Sequence, residues 1–131
     1  MTSVRVPWLL IGAFVLLGIA YIYAIPNFET PDELYHVGVV HHIHTEGKLP
    51  VQERGVDTFF RQEGSQPPLY YLTVALLTLP FDWSGYPALL RFNPHANIGE
   101  PGLAGNKNRI LHDGAYPPDL TGTTLAVRSA R

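Results

Sequence analysis

Two adjacent carboxylates, Asp32 and Glu33, with His36 three residues on, form the strongest chemistry-bearing group in this sequence. A positioned carboxylate can take the proton of an attacking hydroxyl, and partial burial beside an apolar phase raises its pKa toward a useful value. The same two acids also suit the first turn of a helix, where they complement the dipole. A second group is Gln62-Glu63-Gly64-Ser65-Gln66-Pro67-Pro68-Leu69-Tyr70-Tyr71. Its diproline sets the entry to a helix, whose free N–H groups favour an anion such as phosphate. The structural alternative is a loop leading into an interfacial helix anchored by Tyr70 and Tyr71. His36, His41, His42 and His44 invite a transition metal, because Asp32 or Glu33 shares a helix face with His36. One helix supplies only part of such a site, His41 and His42 point about 100° apart, and no HExxH pattern is present. The reading assigns no metal and no cofactor.

Elements that could position these residues follow from the pattern around them. Val6 to Ile25 is a run of twenty uncharged residues. As a helix it reaches about 30 Å, the thickness of a bilayer's hydrocarbon core. A cleaved signal peptide fits less well, since its apolar region is normally about 7–15 residues. Bulky Tyr21-Ile22-Tyr23 also stands where small residues would mark cleavage. Trp8, Tyr21 and Tyr23 suit interfacial belts. Arg5 on one side and Glu29, Asp32 and Glu33 on the other favour a cytoplasmic N-terminus. The expected division is a cytoplasmic 1–5, a membrane helix 6–25, an extracytoplasmic juxtamembrane region 26–81, an irregular Pro/Gly-rich loop 82–122, and the start of a second membrane helix at 123–131.

Within 26–81, Pro31 to Thr45 reads as a helix, with Thr30 as N-cap, Pro31 in the first position and Gly47 as the C-terminal stop. Leu34, Val37, Val40 or His41, and His44 recur at helical spacing, with Asp32, His36, Val39 and Ile43 on a neighbouring stripe. Lys48 to Ser65 reads as extended or irregular. Leu69 to Phe81 is apolar but only about 20 Å long as a helix, too short to span a bilayer. Arg54 and Arg61 could contact lipid phosphates, but isolated surface arginines are more often solvated, and Asn106-Lys107-Asn108-Arg109 is similarly nonspecific.

Composition narrows the function classes. Charged residues make up 15% of the 131, with 12 Gly and 12 Pro, against roughly 25% charged in soluble proteins. A net charge of -2 without clustered Lys and Arg excludes counterion-driven nucleic-acid binding. Zero cysteines exclude disulfides, thiol nucleophiles and Cys-type zinc sites. The membrane stretch and long tail leave little sequence for an independent core, so a truncated or partial chain is expected.

Taken together, an apolar helix, Pro31-Asp32-Glu33 with His36, Glu46-Gly47-Lys48-Leu49-Pro50 and Gln66-Pro67-Pro68-Leu69-Tyr70-Tyr71 resemble the N-terminal region of GT-C membrane glycosyltransferases. The likeness is to bacterial relatives of the dolichyl-phosphate-mannose protein mannosyltransferases and of the lipid A aminoarabinose transferase. It covers about residues 6 to 81 and, weakly, 124 to 131.

The resemblance implies a mainly α membrane protein in which two juxtamembrane helices, Pro31 to Thr45 and Pro68 to Phe81, follow the first membrane helix. Ala126-Val127-Arg128 would enter the second. It implies transfer of a sugar from a polyprenyl-phosphate donor to a hydroxyl with inversion, with Asp32 as catalytic base and Glu33 as second acid. His36, Glu63, Gln66 and Tyr70 then become candidate substrate contacts. The lipid-linked donor and the membrane are the expected partners, and the acceptor is unassigned. Ser65 and Gln66 stand where relatives of the lipid A enzyme carry an acid and a lysine, and Glu63 is a shifted acid. A second reading is a single-pass anchored extracytoplasmic module that binds a metal or a partner through its histidine-rich helix.

Overall fold

An unbroken apolar run without internal glycine clusters or charge closes its backbone hydrogen bonds locally, and Arg5–Ala24 forms one helix, α1. In the computed structural model, residues 5–96, 108–112 and 120–131 are described. The expected N-terminal segment therefore lies almost wholly outside the described residues, as do 97–107 and 113–119 of the expected irregular loop. Val6–Ala24 is long and apolar enough to cross a membrane, and none of it is buried by the rest of the chain. Trp8, Tyr21 and Tyr23 are all exposed along it.

The second helix, α2 (Glu33–Glu46), starts later than its sequence pattern suggests. Asp32, not Thr30, is the residue before the helix, and it takes a left-handed conformation with φ 58°. Asp tolerates that region better than most residues, because its short polar side chain can bond locally. Pro31 therefore lies outside the helix. The Glu33 carboxylate reaches back to Thr30, accepting its hydroxyl at 2.6 Å and its N–H at 3.3 Å. A threonine three residues before an acid thus still stabilises the helix start, with the carboxylate as acceptor. The stop at Gly47 is as expected, with φ 65° and its N–H donating to Ile43 O at 2.9 Å.

Both stripes of α2 are covered. Leu34, Val37, Gly38, Val39 and Val40 are all buried, because α3 (Pro68–Leu77) packs on one side and a 3₁₀ turn, Arg61–Ser65, on another. Gly38 lets the Phe59 ring lie against the helix, since a Cβ there would stand 3.0 Å from Phe59 Cδ1. The α3 helix stops at Leu77, short of Phe81. Pro80 cannot donate the N–H that the next turn needs, and the Thr78 hydroxyl turns back to Val74 O at 2.8 Å.

Two further helices complete the core: α4 (Tyr86–Leu89), inside the stretch expected to be irregular, and α5 (Thr121–Ser129), which packs on it. Phe28, Trp83, Tyr86, Leu89, Ile110, Ala126 and Val127 join the valines of α2 in one buried cluster. Among the described residues there is no strand, only a single antiparallel bridge between Phe92 and Ile110. The protein is thus mainly helical, and its core joins α2 and α3 to residues from the C-terminal end of the chain.

Candidate functional site

Three of the residues singled out for chemistry, Glu33, His36 and Tyr70, meet near the C-terminal end of α1. A cavity of about 450 Å³ is lined there by Gly18, Tyr21 and Ile22 of α1, by Thr30, Pro31, Glu33, His36 and Val37, and by Tyr70, Ala130 and Arg131. One wall belongs to the apolar membrane-length helix, and the opposite wall carries hydroxyl, imidazole and carboxylate groups. Such a junction suits a ligand with an apolar tail and a polar head.

Glu33 and Arg131 form the base of this site. Arg131 Nε donates to Glu33 Oε1 at 2.6 Å and Nη2 to Oε2 at 3.1 Å. Nη1 donates to Ile22 O and Ile25 O at 3.0 and 2.8 Å, and Nη2 also to Pro26 O at 2.5 Å. All five guanidinium N–H groups are therefore used, three of them on carbonyls that end α1 and would otherwise have no intrahelical partner. Both side chains are nearly excluded from solvent, at 5% and 7% exposure. The carboxylate of Glu33 is held by this pair and by Thr30.

Asp32 is placed differently. It is exposed, at the start of α2, and its two neighbours, Pro31 and Glu33, line the cavity. Its left-handed backbone sets it off the helix, and no hydrogen bond occupies its carboxylate among the described residues. A carboxylate at the rim of a cavity with no hydrogen bond of its own is free to accept a proton from a bound hydroxyl.

His36 lines the cavity, and its Nδ1 lies 2.8 Å from the Tyr71 hydroxyl. Tyr71 Oη is also 3.4 Å from Gln66 Oε1, so His36, Tyr71 and Gln66 form a chain from α2 across to the entry of α3. Burial, the nearby Glu63 and Tyr70 push the Tyr71 phenol up to about 12, so it stays a neutral hydroxyl. Tyr70 lines the cavity itself and donates to Ala130 O at 3.3 Å; burial raises its phenol as well. Glu63 and Gln66 lie away from the cavity wall. Glu63 is buried, its Oε1 accepting from Gln62 Nε2 at 3.1 Å and its Oε2 having no partner. The structure thus brings Glu33, His36 and Tyr70 to one cavity, sets Asp32 beside it, and connects Gln66 through Tyr71.

The other histidines go to separate aromatic partners. His41 stacks on Tyr86 with centroids 4.3 Å apart, His42 meets Phe60 edge-on, and His44 stacks on Trp83 at 4.9 Å. His44 Nε2 also bonds Thr78 Oγ1 at 2.9 Å. The Thr78 hydroxyl proton already serves Val74 O, so Nε2 of His44 carries the proton. Burial lowers the pKa of His41, with His44 and His42 adding to the effect, and burial likewise lowers that of His44. Among the described residues no three His, Asp or Glu side chains come together as metal ligands.

Arg131 and Tyr71 are the site residues that sequence reading passed over. Arg131 lies 98 positions from Glu33, and no local periodicity links the two. Tyr71 was legible only as an anchor. Compared with known proteins, the chain matches no family model, no characterised protein and no solved structure.

Proposed function

We propose that this chain supplies the first membrane helix and adjoining surface region of an integral-membrane glycosyltransferase that uses a polyprenyl-phosphate-linked sugar. The observation that supports this reading is the cavity at the end of α1, half apolar helix and half polar side chains, with the free Asp32 carboxylate at its rim. A lipid-linked donor has matching chemistry: its chain runs beside Tyr21 and Ile22, and its head faces Thr30, His36 and Tyr70. Exposed Leu69, Leu72, Leu76 and Leu77 on α3 suit a helix resting on the same lipid surface. In this reading α1 spans the cell membrane and the region after it is extracytoplasmic.

The proposed reaction is an inverting displacement. The acceptor oxygen attacks the anomeric carbon, the bond from that carbon to the phosphate oxygen breaks with its electron pair leaving on phosphate, and the acceptor proton passes to Asp32. Glu33 acts as a positioning residue, since its pair with Arg131 ties the start of α2 to the end of α1. Other spans of the enzyme would close the donor site.

The test is sugar transfer from a radiolabelled polyprenyl-phosphate sugar in membranes containing the complete enzyme that includes this chain. Loss of a general base costs about 10²–10⁴ in rate, so Asp32→Asn should lose at least the lower figure with unchanged helical content. Full transfer by Asp32→Asn would overturn the assignment.

A further inference from the structure

At about 100° per residue, Glu33, His36 and Val37 of α2 share one side, Leu34 stands beside Val37, and Tyr35 turns to the opposite side. That second side opens on a separate cavity of about 300 Å³, lined by Leu34, Tyr35, Asp57, Thr58, Phe59, Arg61 and Phe92. Two cations lie over the Tyr35 ring, Arg61 from the cavity lining and Arg109 from behind it. The guanidinium carbon of Arg61 lies 4.9 Å from the ring centroid and that of Arg109 lies 5.7 Å from it. Among the described residues neither pairs with a carboxylate. Arg109 Nη1 is buried and has no hydrogen-bond acceptor.

An ordinary surface arginine keeps its N–H groups in water. Here one guanidinium has lost that water at Nη1 without gaining an oxygen, which is costly for a charged group. Two mutually repelling guanidinium groups share one tyrosine ring, with the single carboxylate of Asp57 on the wall. Arg61 is also held at φ 44°, a backbone region that side chains other than glycine rarely adopt. An anion in the cavity would pair with Arg61 and ease the repulsion between the two guanidinium groups. The guanidinium fork matches two oxygens of a phosphate, and two such forks match a dianion.

We propose that this cavity is a phosphate site, taking a phosphate monoester whose body lies against the aromatic side chains of Tyr35, Phe59 and Phe92. The volume exceeds what a bare phosphate fills, and Phe59 and Phe92 are 43% and 54% exposed, leaving ring surface to cover. The site lies on the other side of α2 from the Asp32 cavity and stands without the glycosyltransferase reading. The phosphate belongs either to a soluble molecule or to a lipid headgroup, and both present the same terminal group.

The full chain in neutral phosphatidylcholine nanodiscs is titrated calorimetrically with inorganic phosphate and with phenyl phosphate, and the titration is repeated in nanodiscs containing phosphatidic acid. Saturable binding is expected, tighter for phenyl phosphate and weakened by salt. Arg61→Gln and Arg109→Gln should each raise Kd by roughly ten- to a hundredfold, as expected for losing a charged hydrogen bond. If phosphatidic acid abolishes the free-phosphate signal, the lipid headgroup is the occupant; if the signal persists, the ligand is soluble. Arg61 is exposed, so Arg61→Gln keeps the test open should Arg109→Gln unfold. Absent saturable binding, or binding unchanged in Arg61→Gln, overturns the proposal.

Discussion

Removing one partner of the Glu33–Arg131 pair should loosen the whole assembly. Arg131→Met deletes five hydrogen bonds: two to the Glu33 carboxylate and three to carbonyls at the end of α1. It leaves a buried carboxylate supported only by Thr30. Breaking a buried ion pair from one side costs about 3–5 kcal/mol, because the remaining charge is uncompensated. The lost carbonyl partners place Arg131→Met at the upper end, whereas Glu33→Gln keeps the side-chain shape and leaves Arg131 three carbonyl acceptors, so about 3 kcal/mol is expected. The double variant Glu33→Met, Arg131→Met removes both charges and should be less destabilised than the two single costs added, with a coupling of about 2–3 kcal/mol. Thermal unfolding in detergent, followed by the near-ultraviolet signal of Trp83 and Tyr86, reads these values as a fall in Tm of roughly 10–20 °C for each single variant. Single variants within about 0.5 kcal/mol of the parent, or strictly additive costs, would refute the reasoning.

Acid should destabilise the protein through His41 and His44. Their folded pKa values lie below the ordinary 6.5 because burial disfavours the imidazolium. Between the unfolded and folded values the unfolded chain binds more protons, so stability present above about pH 6.5 falls as pH drops through the folded values. Unfolding midpoints at about pH 7.5 and about pH 5.5 should differ in the parent and differ less in His41→Phe. Glu29 accepts the N–H groups of Arg109 and Ile110 at 2.8 and 2.9 Å and contacts His112 Nε2 at 2.9 Å. Glu29→Gln should therefore speed amide exchange at Arg109 and Ile110 with α2 unaffected, and unchanged exchange at both would count against that clamp. Gly18 lines the cavity, and a Cβ there meets nothing within 4 Å. Gly18→Leu should thus fold normally yet weaken binding of a polyprenyl-phosphate sugar at least tenfold, a cost of about 1.4 kcal/mol in a titration.

Local pattern carried the first half of the chain. Nineteen of the twenty uncharged residues closed into α1, Gly47 ended α2, and the diproline opened α3. Each of these depends on contacts within a few residues, so sequence suffices. The errors were at boundaries where a local preference met a competing bond. Pro31 suits a first helical position, but Asp32 broke the helix entry while Glu33 folded back to Thr30. The apolar run through Phe81 suits a helix, but Thr78 and Pro80 ended it at Leu77.

The core was less legible, because its members are scattered. Phe28, Trp83, Tyr86, Ile110 and Val127 follow no common period, and they meet only when α4 and α5 fold back beside α2. Composition pointed to little independent core, and the buried cluster shows that aromatic residues in Pro/Gly-rich sequence can provide one.

By itself the sequence determined the apolar length of α1, the helix that follows it and the presence of two acids between them. Tertiary structure decided which acid is free. Asp32 and Glu33 are adjacent and chemically alike, but Arg131 satisfies one carboxylate and a left-handed backbone leaves the other at the surface. That difference comes from a contact spanning 98 positions, and a pairing of that range leaves no trace in local spacing.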